Sequence, residues 1–94
     1  MTFEWNPKKA ADNIAQKRPP FELAEFVLSD PNAAHEIDNR ENYGEIRRIA
    51  YGKAGELHLR LVYTIRGENN EICRVITLYQ VHEKEWRKHY EQND

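Results

Sequence analysis

A chain of 94 residues with one cysteine is too short for several domains and has no internal disulfide framework. Its composition, 39% hydrophobic and 32% charged, excludes the fibrous and disordered classes, and no apolar run is long enough to cross a membrane. The net charge of −2 argues against a general nucleic-acid coat, which would be strongly basic. Since the N-terminus also lacks an apolar leader, we expect one cytoplasmic domain over residues 1–94.

The N-terminal part predicts a short strand followed by two helices. "TFEW" at residues 2–5 is β-prone, and Asn6 and Pro7 are residue types favoured at a helix N-cap and first turn. A helix is predicted through "KKAADNIAQK", residues 8–17, and the two prolines that follow would end it. "FELAEFVL", residues 21–28, has apolar residues at helical spacing and predicts the second helix.

The middle of the chain predicts a loop and then a β-hairpin. Residues 32–45 are polar and have no long periodic pattern, apart from a short strand near 34–37. "EIRRIAYG" at 45–52 and "ELHLRLVYTIRG" at 56–67 are typical of strands, and "KAG" between them is typical of a hairpin connection.

The hairpin's second strand alternates apolar and polar residues, which indicates a half-buried antiparallel strand. This pattern places Arg60, Thr64 and Arg66 on the polar face. "EICRVITLY" at 71–79 is apolar on both faces and predicts an interior strand, and 81–94 predicts a polar helix. Two helices, a meander and a final helix give an α+β fold.

Several catalytic constellations are missing from the sequence. It has no paired Cys and His spacing for zinc, no glycine-rich phosphate loop and no Gly-x-Ser-x-Gly motif, so we expect neither a metal nor a cofactor. What remains is Arg47, Arg66 and Arg74, on three successive predicted strands. Guanidinium groups on rigid strands suit a phosphodiester, and metal-free RNA cleavage needs only such cations, a base and an acid. The alternative is that these arginines are solvated edge charges.

The chain resembles the BrnT family, the toxins of bacterial toxin–antitoxin pairs, along nearly its whole length. Each matching motif is weak alone, but their ordered combination is fairly specific. The motifs are "FEWNPKKAADN" at 3–13, Phe21, Ala24, "DP" at 30–31, "GEIR" at 44–47, Gly52, "VYTIRG" at 62–67, Arg74, Ile76, Glu85 and "YE" at 90–91.

This resemblance implies a RelE-like fold and a small endoribonuclease that blocks translation by cutting RNA without a metal. It also implies an inhibitory partner, a BrnA-like DNA-binding antitoxin encoded beside the toxin. The pair would repress its own operon, so that operator DNA is contacted only through the antitoxin. No membrane is involved in this scheme.

The resemblance also implies a site, because Lys9, Arg47, Arg66 and Arg74 fall on family motif positions. Arg66 and Arg47 are expected to bind the phosphate and stabilise the transition state, with Arg74 beside them. Lys9, in the first turn of the first helix, is expected to contact RNA or assist proton transfer; the alternative is a solvated helix residue.

Two positions depart from the family pattern. Lys17 stands where the family commonly has histidine, and Tyr79 stands where it commonly has arginine. Tyr79 is a candidate proton donor or base-stacking residue, with simple packing as the alternative, and His35 and His58 are other candidate proton donors. The alternative function is therefore a weakened BrnT-like module that binds a partner protein or RNA without efficient cleavage.

The C-terminal helix offers two apolar side chains on one face, Trp86 and Tyr90. One interpretation is that both rings complete the core beside the sheet. The other is that the helix borders the RNA site, where Arg87 and Lys88 would contact phosphates. Arg60, on the same strand face as Arg66, is a further candidate for substrate binding.

Overall fold

The computed structural model describes residues 1–90, and the end of the predicted C-terminal helix at 91–94, with the last residue of the "YE" motif, lies outside them. The described elements follow the α+β order expected from the sequence. They are strand β1 (Thr2–Glu4), helix α1 (Pro7–Ala15), a 3₁₀ turn (Phe21–Leu23), helix α2 (Ala24–Ser29), strands β2 (Ala34–Ile37), β3 (Arg48–Ala54), β4 (Leu57–Arg66) and β5 (Ile72–Gln80), and helix α3 (Glu83–Tyr90).

The strands form one mixed sheet in the order β1-β5-β4-β3-β2. Strands β2 to β5 are an antiparallel meander, as the sequence predicts, and β1 adds to the outer edge of β5 in parallel, with Glu4 opposite Arg74. The register between β4 and β5 shifts after Val62, because Val62 faces Thr77 whereas Tyr63 faces Val75. Ile76 is therefore the extra residue of a β-bulge.

The sequence located most elements well but misplaced several boundaries. The strand predicted from residue 45 begins only at Arg48, so Arg47 lies in the segment before β3 and not on a strand. The predicted connection at 53–55 falls partly inside β3, and the turn lies instead at Gly55-Glu56, where Gly55 adopts a φ of +60°. The second predicted helix begins as a 3₁₀ turn and becomes α-helical only at Ala24. The short strand expected near 34–37 is confirmed as β2.

Each face of the sheet carries its own core. On one face α2 packs against β3 and β4, where Gly52 lets Val27 and Ala33 approach closely. The buried residues of this core are Phe21, Ala24, Val27, Ala50, Ala54, Leu59, Leu61, Tyr63, Cys73, Val75 and Leu78. The other core, on the face that α3 covers, consists of Ile49, Tyr51, Val62, Ile76, Val81 and Trp86.

Helix α1 lies along the edge of β5 beyond the end of β1, and one buried side chain fastens it there. Asn13 Nδ2 donates to the carbonyl of Leu78 at 2.8 Å and to that of Pro19 at 2.9 Å. The first bond satisfies a sheet-edge carbonyl that no strand pairs, and the second fixes the chain just after the helix. The position of α1 relative to the sheet is thus set by a buried polar contact.

Helix α3 is docked at the opposite end of β4 from Arg66. Trp86 is 2% exposed, its Nε1 donates to the carbonyl of Gly52 at 3.2 Å, and its ring stacks on Tyr90 with centroids 3.8 Å apart. The Tyr90 hydroxyl donates to the carboxylate of Asp30 at 2.9 Å. Both aromatic rings therefore complete the core, as one of the two interpretations expected. Within residues 1–90, no helix has the length and apolar character needed to cross a bilayer.

Candidate functional site

A small polar pocket lies where β4 ends and β5 begins, beside the first turn of α1. Its volume is about 160 Å³. The residues that line it are Asn6, Lys9, Glu45, Arg47, Arg66, Arg74, Val75 and Ile76. The four basic side chains that the sequence singled out, Lys9, Arg47, Arg66 and Arg74, thus meet in one place; we call it the arginine pocket.

Strand pairing explains why two of the four cations, Arg66 and Arg74, lie close together. Arg66 pairs with Ile72 and Thr64 pairs with Arg74, so Arg66 and Arg74 are diagonal neighbours on one face of the sheet. Such neighbours are separated by about 7–8 Å, within reach of long side chains that converge. The adjacent bulge at Ile76 aims that side chain at the same pocket, which is a common role of bulges near functional sites.

Two carboxylates partly neutralise these arginines. Arg66 Nη2 donates to Glu45 at 3.1 and 3.3 Å. Glu4 Oε1 lies further away, 3.8 Å from Arg66 Nη1 and 3.6 Å from Arg74 Nη1. Since each guanidinium has five N–H donors, these contacts leave donors available for an anion.

Arg47 carries a buried donor that is unused. Its Nε has no hydrogen-bond partner within residues 1–90, and the nearest carboxylate oxygen, Glu45 Oε1, is 3.7 Å away. Its guanidinium lies over the ring of Tyr43, 4.1 Å from the centroid. Because a buried unsatisfied donor costs about 1–3 kcal/mol, this N–H would gain from donating to an oxygen that a ligand brings.

The segment before β3 contains a buried carboxylate, that of Asp38, next to Arg47 in the fold. Asp38 accepts two bonds of 2.7 Å from the Arg40 guanidinium and one of 3.2 Å from the Tyr43 hydroxyl, and its own N–H donates to the Arg47 carbonyl. The hydrogen bonds from Arg40 hold the pKa of Asp38 well below its usual range. The ionised carboxylate of Asp38 therefore orients Tyr43, on which the Arg47 guanidinium lies, and the backbone of Asp38 fixes that of Arg47.

Lys9 reaches the pocket from the start of α1. The side chain of Asn6 caps this helix by accepting from the N–H groups of Lys8 and Lys9, as the sequence predicts. Lys9 is exposed, and within the described residues no carboxylate lies within ion-pairing distance of its amine. The positive end of the helix dipole adds to the charge of Lys9 at this side of the pocket.

Arg60 and Tyr79 lie outside the arginine pocket. Arg60 is 8% exposed, and it donates to the hydroxyl of Tyr51 at 3.1 Å and to that of Tyr79 at 2.6 Å. Arg60 is therefore buried between two phenol groups. It orders this face of the sheet and has little contact with solvent. Tyr79 instead presents its ring to Arg18, whose guanidinium carbon is 5.7 Å from the ring centroid.

Arg87 and Lys88 are remote from the pocket because α3 docks near His58, at the start of β4. Eight residues of an extended strand separate His58 from Arg66, roughly 27 Å. Arg87 also donates to Glu83 one helical turn away, at 2.7 Å. The structure therefore does not bring these two side chains together with the four pocket cations.

The two candidate histidines also lie elsewhere. His35 Nδ1 is 3.0 Å from the Tyr63 hydroxyl, and burial, assisted by Arg48, lowers the pKa of His35. His58 packs against Trp86 with ring centroids 4.5 Å apart. Across residues 1–90, no three His, Cys, Asp or Glu side chains are grouped as metal ligands would be.

Sequence reasoning missed Glu45 and Asp38. Glu45 lies two residues before Arg47 in the "GEIR" motif, so its alternation with Arg47 was a signal that both point to one side. Asp38 gave no such signal, since its burial depends on Arg40 and Tyr43 folding over it.

One comparison with known proteins bears on this arrangement. Residues 5–85 match a family model described as the ribonuclease toxin, BrnT, of type II toxin–antitoxin system. Among curated proteins, no relative matches the chain.

Proposed function

Because the chain belongs to the BrnT family, the ribonuclease toxins of type II toxin–antitoxin systems, we propose that it cuts RNA in the arginine pocket and thereby blocks translation. The observation that carries this proposal is the convergence of Lys9, Arg47, Arg66 and Arg74 on one pocket. A type II toxin has an antitoxin protein as its partner. We propose further that this antitoxin is BrnA-like, binds operator DNA and covers the arginine pocket when it neutralises the toxin.

The proposed reaction needs no metal. The ribose 2′-oxygen attacks the adjacent phosphorus, the bond from phosphorus to the 5′-oxygen breaks, and a 2′,3′-cyclic phosphate and a 5′-hydroxyl result. A base removes the 2′-hydroxyl proton, an acid gives a proton to the leaving oxygen, and cations stabilise the charged phosphorane between these events. Each of these roles has a candidate among the residues that line the pocket.

Arg66 and Arg47 are placed to bind the phosphate oxygens, with Arg74 as a further cation. The planar guanidinium binds two oxygens at once and keeps its charge throughout. Glu45 is the candidate base, since a phosphate that takes its place on Arg66 leaves this carboxylate free beside the sugar. Lys9, on the opposite wall, is the candidate acid for the leaving oxygen.

One observation favours the alternative, a module that binds a partner protein or RNA without efficient cleavage. Glu4 and Glu45 already engage Arg66 and Arg74, so an incoming phosphate must displace or tolerate two carboxylates. Under this alternative the pocket still binds RNA or the antitoxin, but the phosphorane is poorly stabilised. Binding without cleavage is therefore the signature that separates the two functions.

The test is induced expression of the parent chain and two variants, with and without the neighbouring antitoxin, scored by growth and RNA integrity. The parent should arrest growth and degrade RNA only without antitoxin. Arg66→Ala should abolish both effects, since loss of one transition-state donor typically costs about 10²–10³ in rate, while Arg87→Ala on α3 should act as the parent.

The purified parent should also cleave RNA in the presence of EDTA. Cleavage that disappears with EDTA and returns with a divalent ion would overturn the metal-independent reaction. If Arg66→Ala arrests growth as strongly as the parent, the arginine pocket is not the site of RNA cleavage. RNA binding by the parent with no detectable cleavage would establish the alternative.

A further inference from the structure

A second cavity adjoins the arginine pocket along α1. Its volume is about 190 Å³, and it shares Lys9 and Ile76 with the arginine pocket. Its other lining residues are Asp12, Asn13, Gln16, Arg18, Phe21 and Thr77. Because Lys9 and Ile76 line both cavities, the two cavities are direct neighbours along α1.

We propose that this second cavity is a subsite for a nucleotide that flanks the cleaved phosphate in single-stranded RNA, and that Arg18 holds that nucleotide. The proposal rests on the proposed ribonuclease function and adds the direction in which the RNA strand leaves the arginine pocket. Arg18 and Lys9 are the cations that line this cavity.

The backbone fixes where Arg18 emerges. Helix α1 ends in a Schellman arrangement, in which the N–H of Arg18 donates to the Asn13 carbonyl and that of Lys17 donates to the Ile14 carbonyl. Lys17 occupies the left-handed position of this motif, with a φ of 61°. The Asn13 side chain then holds Pro19 and the edge of β5 together, so the side chain of Arg18 projects from a fixed point of the backbone.

The side chain of Arg18 is also oriented. Its guanidinium lies over Tyr79, and Tyr79 is itself held by the hydrogen bond from the buried Arg60. A guanidinium plane supported in this way can stack on a base or bind a phosphate, the two contacts that single-stranded RNA offers. Arg18 is exposed, so its outer surface is accessible.

The lining of this cavity suits more than a phosphate ion. Lys9 and Arg18 supply two cations, and Gln16 and Thr77 supply uncharged polar side chains. A nucleotide offers a phosphate to the cations and a sugar and a base to the polar groups, whereas a phosphate ion offers only the first of these.

Charge disfavours a path over β2 and the adjoining loop. The cavity there is lined by two carboxylates and two guanidinium groups, so its charges offset one another. These groups belong to Glu36, Asp38, Arg40 and Arg60. In the cavity along α1 the acidic residue is Asp12, which pairs with Lys8 at 3.4 Å. The basic path is therefore the one that ends at Arg18.

The test measures cleavage of a short oligoribonucleotide by the purified parent and by Arg18→Ala. We expect the KM of Arg18→Ala to rise about tenfold, as for the loss of one stacked base, while kcat stays within about twofold. Inhibition by inorganic phosphate, which occupies only the arginine pocket, should be unchanged. Arg87→Ala, on the remote helix α3, should alter none of these quantities.

An unchanged KM in Arg18→Ala would overturn the subsite. Weaker inhibition by inorganic phosphate would overturn it too, since Arg18 would then belong to the arginine pocket. If the parent cleaves no RNA, the proposed function fails. The subsite is then tested by binding alone, with an oligonucleotide that carries a single deoxyribose at the cut site. A tenfold weaker binding by Arg18→Ala supports the subsite, and equal binding refutes it.

Discussion

Glu45 occupies the position on Arg66 that a phosphate oxygen would take. Its two oxygens lie 3.1 and 3.3 Å from Arg66 Nη2, and Oε1 is 3.7 Å from the unsatisfied Nε of Arg47. A carboxylate between two guanidinium groups holds both in the orientation that an anion needs. It also repels that anion until it is displaced.

Replacing this carboxylate should separate binding from chemistry. We expect Glu45→Gln to bind an uncleavable oligonucleotide several times more tightly, because one negative charge leaves the pocket, and to cleave RNA about 10²-fold more slowly, because the general base is lost. Binding is measured by fluorescence anisotropy and cleavage by single-turnover kinetics. Glu41→Gln, an exposed residue of the same segment, removes an equal charge outside the pocket and serves as the control.

Faster cleavage by Glu45→Gln would contradict the base assignment. Glu45 would then act only as an inhibitory occupant of the arginine pocket.

At the level of single residues, the sequence predicted the pocket cations better than their surroundings. The motif positions of Arg66 and Arg74 led to one sheet face because strand alternation fixes direction, whereas Arg47 reaches the pocket from the segment before β3. The same alternation placed Arg60 on the polar face, yet two tyrosines from neighbouring strands enclose it. Burial of a polar residue depends on such cross-strand partners, which no single-strand pattern contains.

Among the elements, α3 depends most on one side chain. Trp86 contacts His58 and Tyr90, lies below the amine of Lys53 and donates to the Gly52 carbonyl. The helix has only eight residues within the described chain, too few to be stable without this packing.

Truncation of Trp86 should therefore destabilise the protein without changing its chemistry. We expect Trp86→Ala to lower the free energy of unfolding by about 3–5 kcal/mol and the melting temperature by roughly 10 °C or more. Thermal unfolding followed by circular dichroism measures this change. Well below the melting temperature the variant should cleave RNA at the parental rate, since the arginine pocket lies at the other end of β4.

Lys88→Ala, an exposed position on the same helix, should leave the melting temperature unchanged. Parental stability of Trp86→Ala together with impaired cleavage would instead favour the interpretation in which α3 borders the RNA site.

The elements themselves were largely predictable, but their assembly was not. The N-cap at Asn6 is a local signal, and it is confirmed. The alternation in β4 predicted a half-buried strand, and this was wrong, because residues 59–64 are buried on both faces of the sheet. The parallel pairing of β1 with β5 joins residues about seventy positions apart, and the contact between Asn13 and Leu78 spans a similar distance. Long-range partners of this kind leave no periodic trace in the sequence.

At the scale of the whole molecule, an overall negative charge coexists with a local basic surface. The net charge is −2, yet Lys9, Arg47, Arg66 and Arg74 share one pocket and Arg18 lies along its extension. Distant charges are screened beyond about 10 Å at ordinary ionic strength. RNA affinity should therefore follow the local cations and not the net charge.

Salt dependence of RNA binding measures how many of these cations contact phosphates. Each contact on a single strand contributes about −0.7 to the slope of log K against log salt, so two to four contacts predict a slope between about −1.4 and −2.8. Arg74→Ala should make the slope less negative by about 0.7, since one contact is lost, whereas Lys88→Ala on α3 should leave it unchanged. Titrations of an uncleavable oligonucleotide from 50 to 200 mM salt, roughly the range in which counterion release is measured, give these slopes. If Lys88→Ala makes the slope less negative and Arg74→Ala does not, the RNA lies along α3 and not in the arginine pocket.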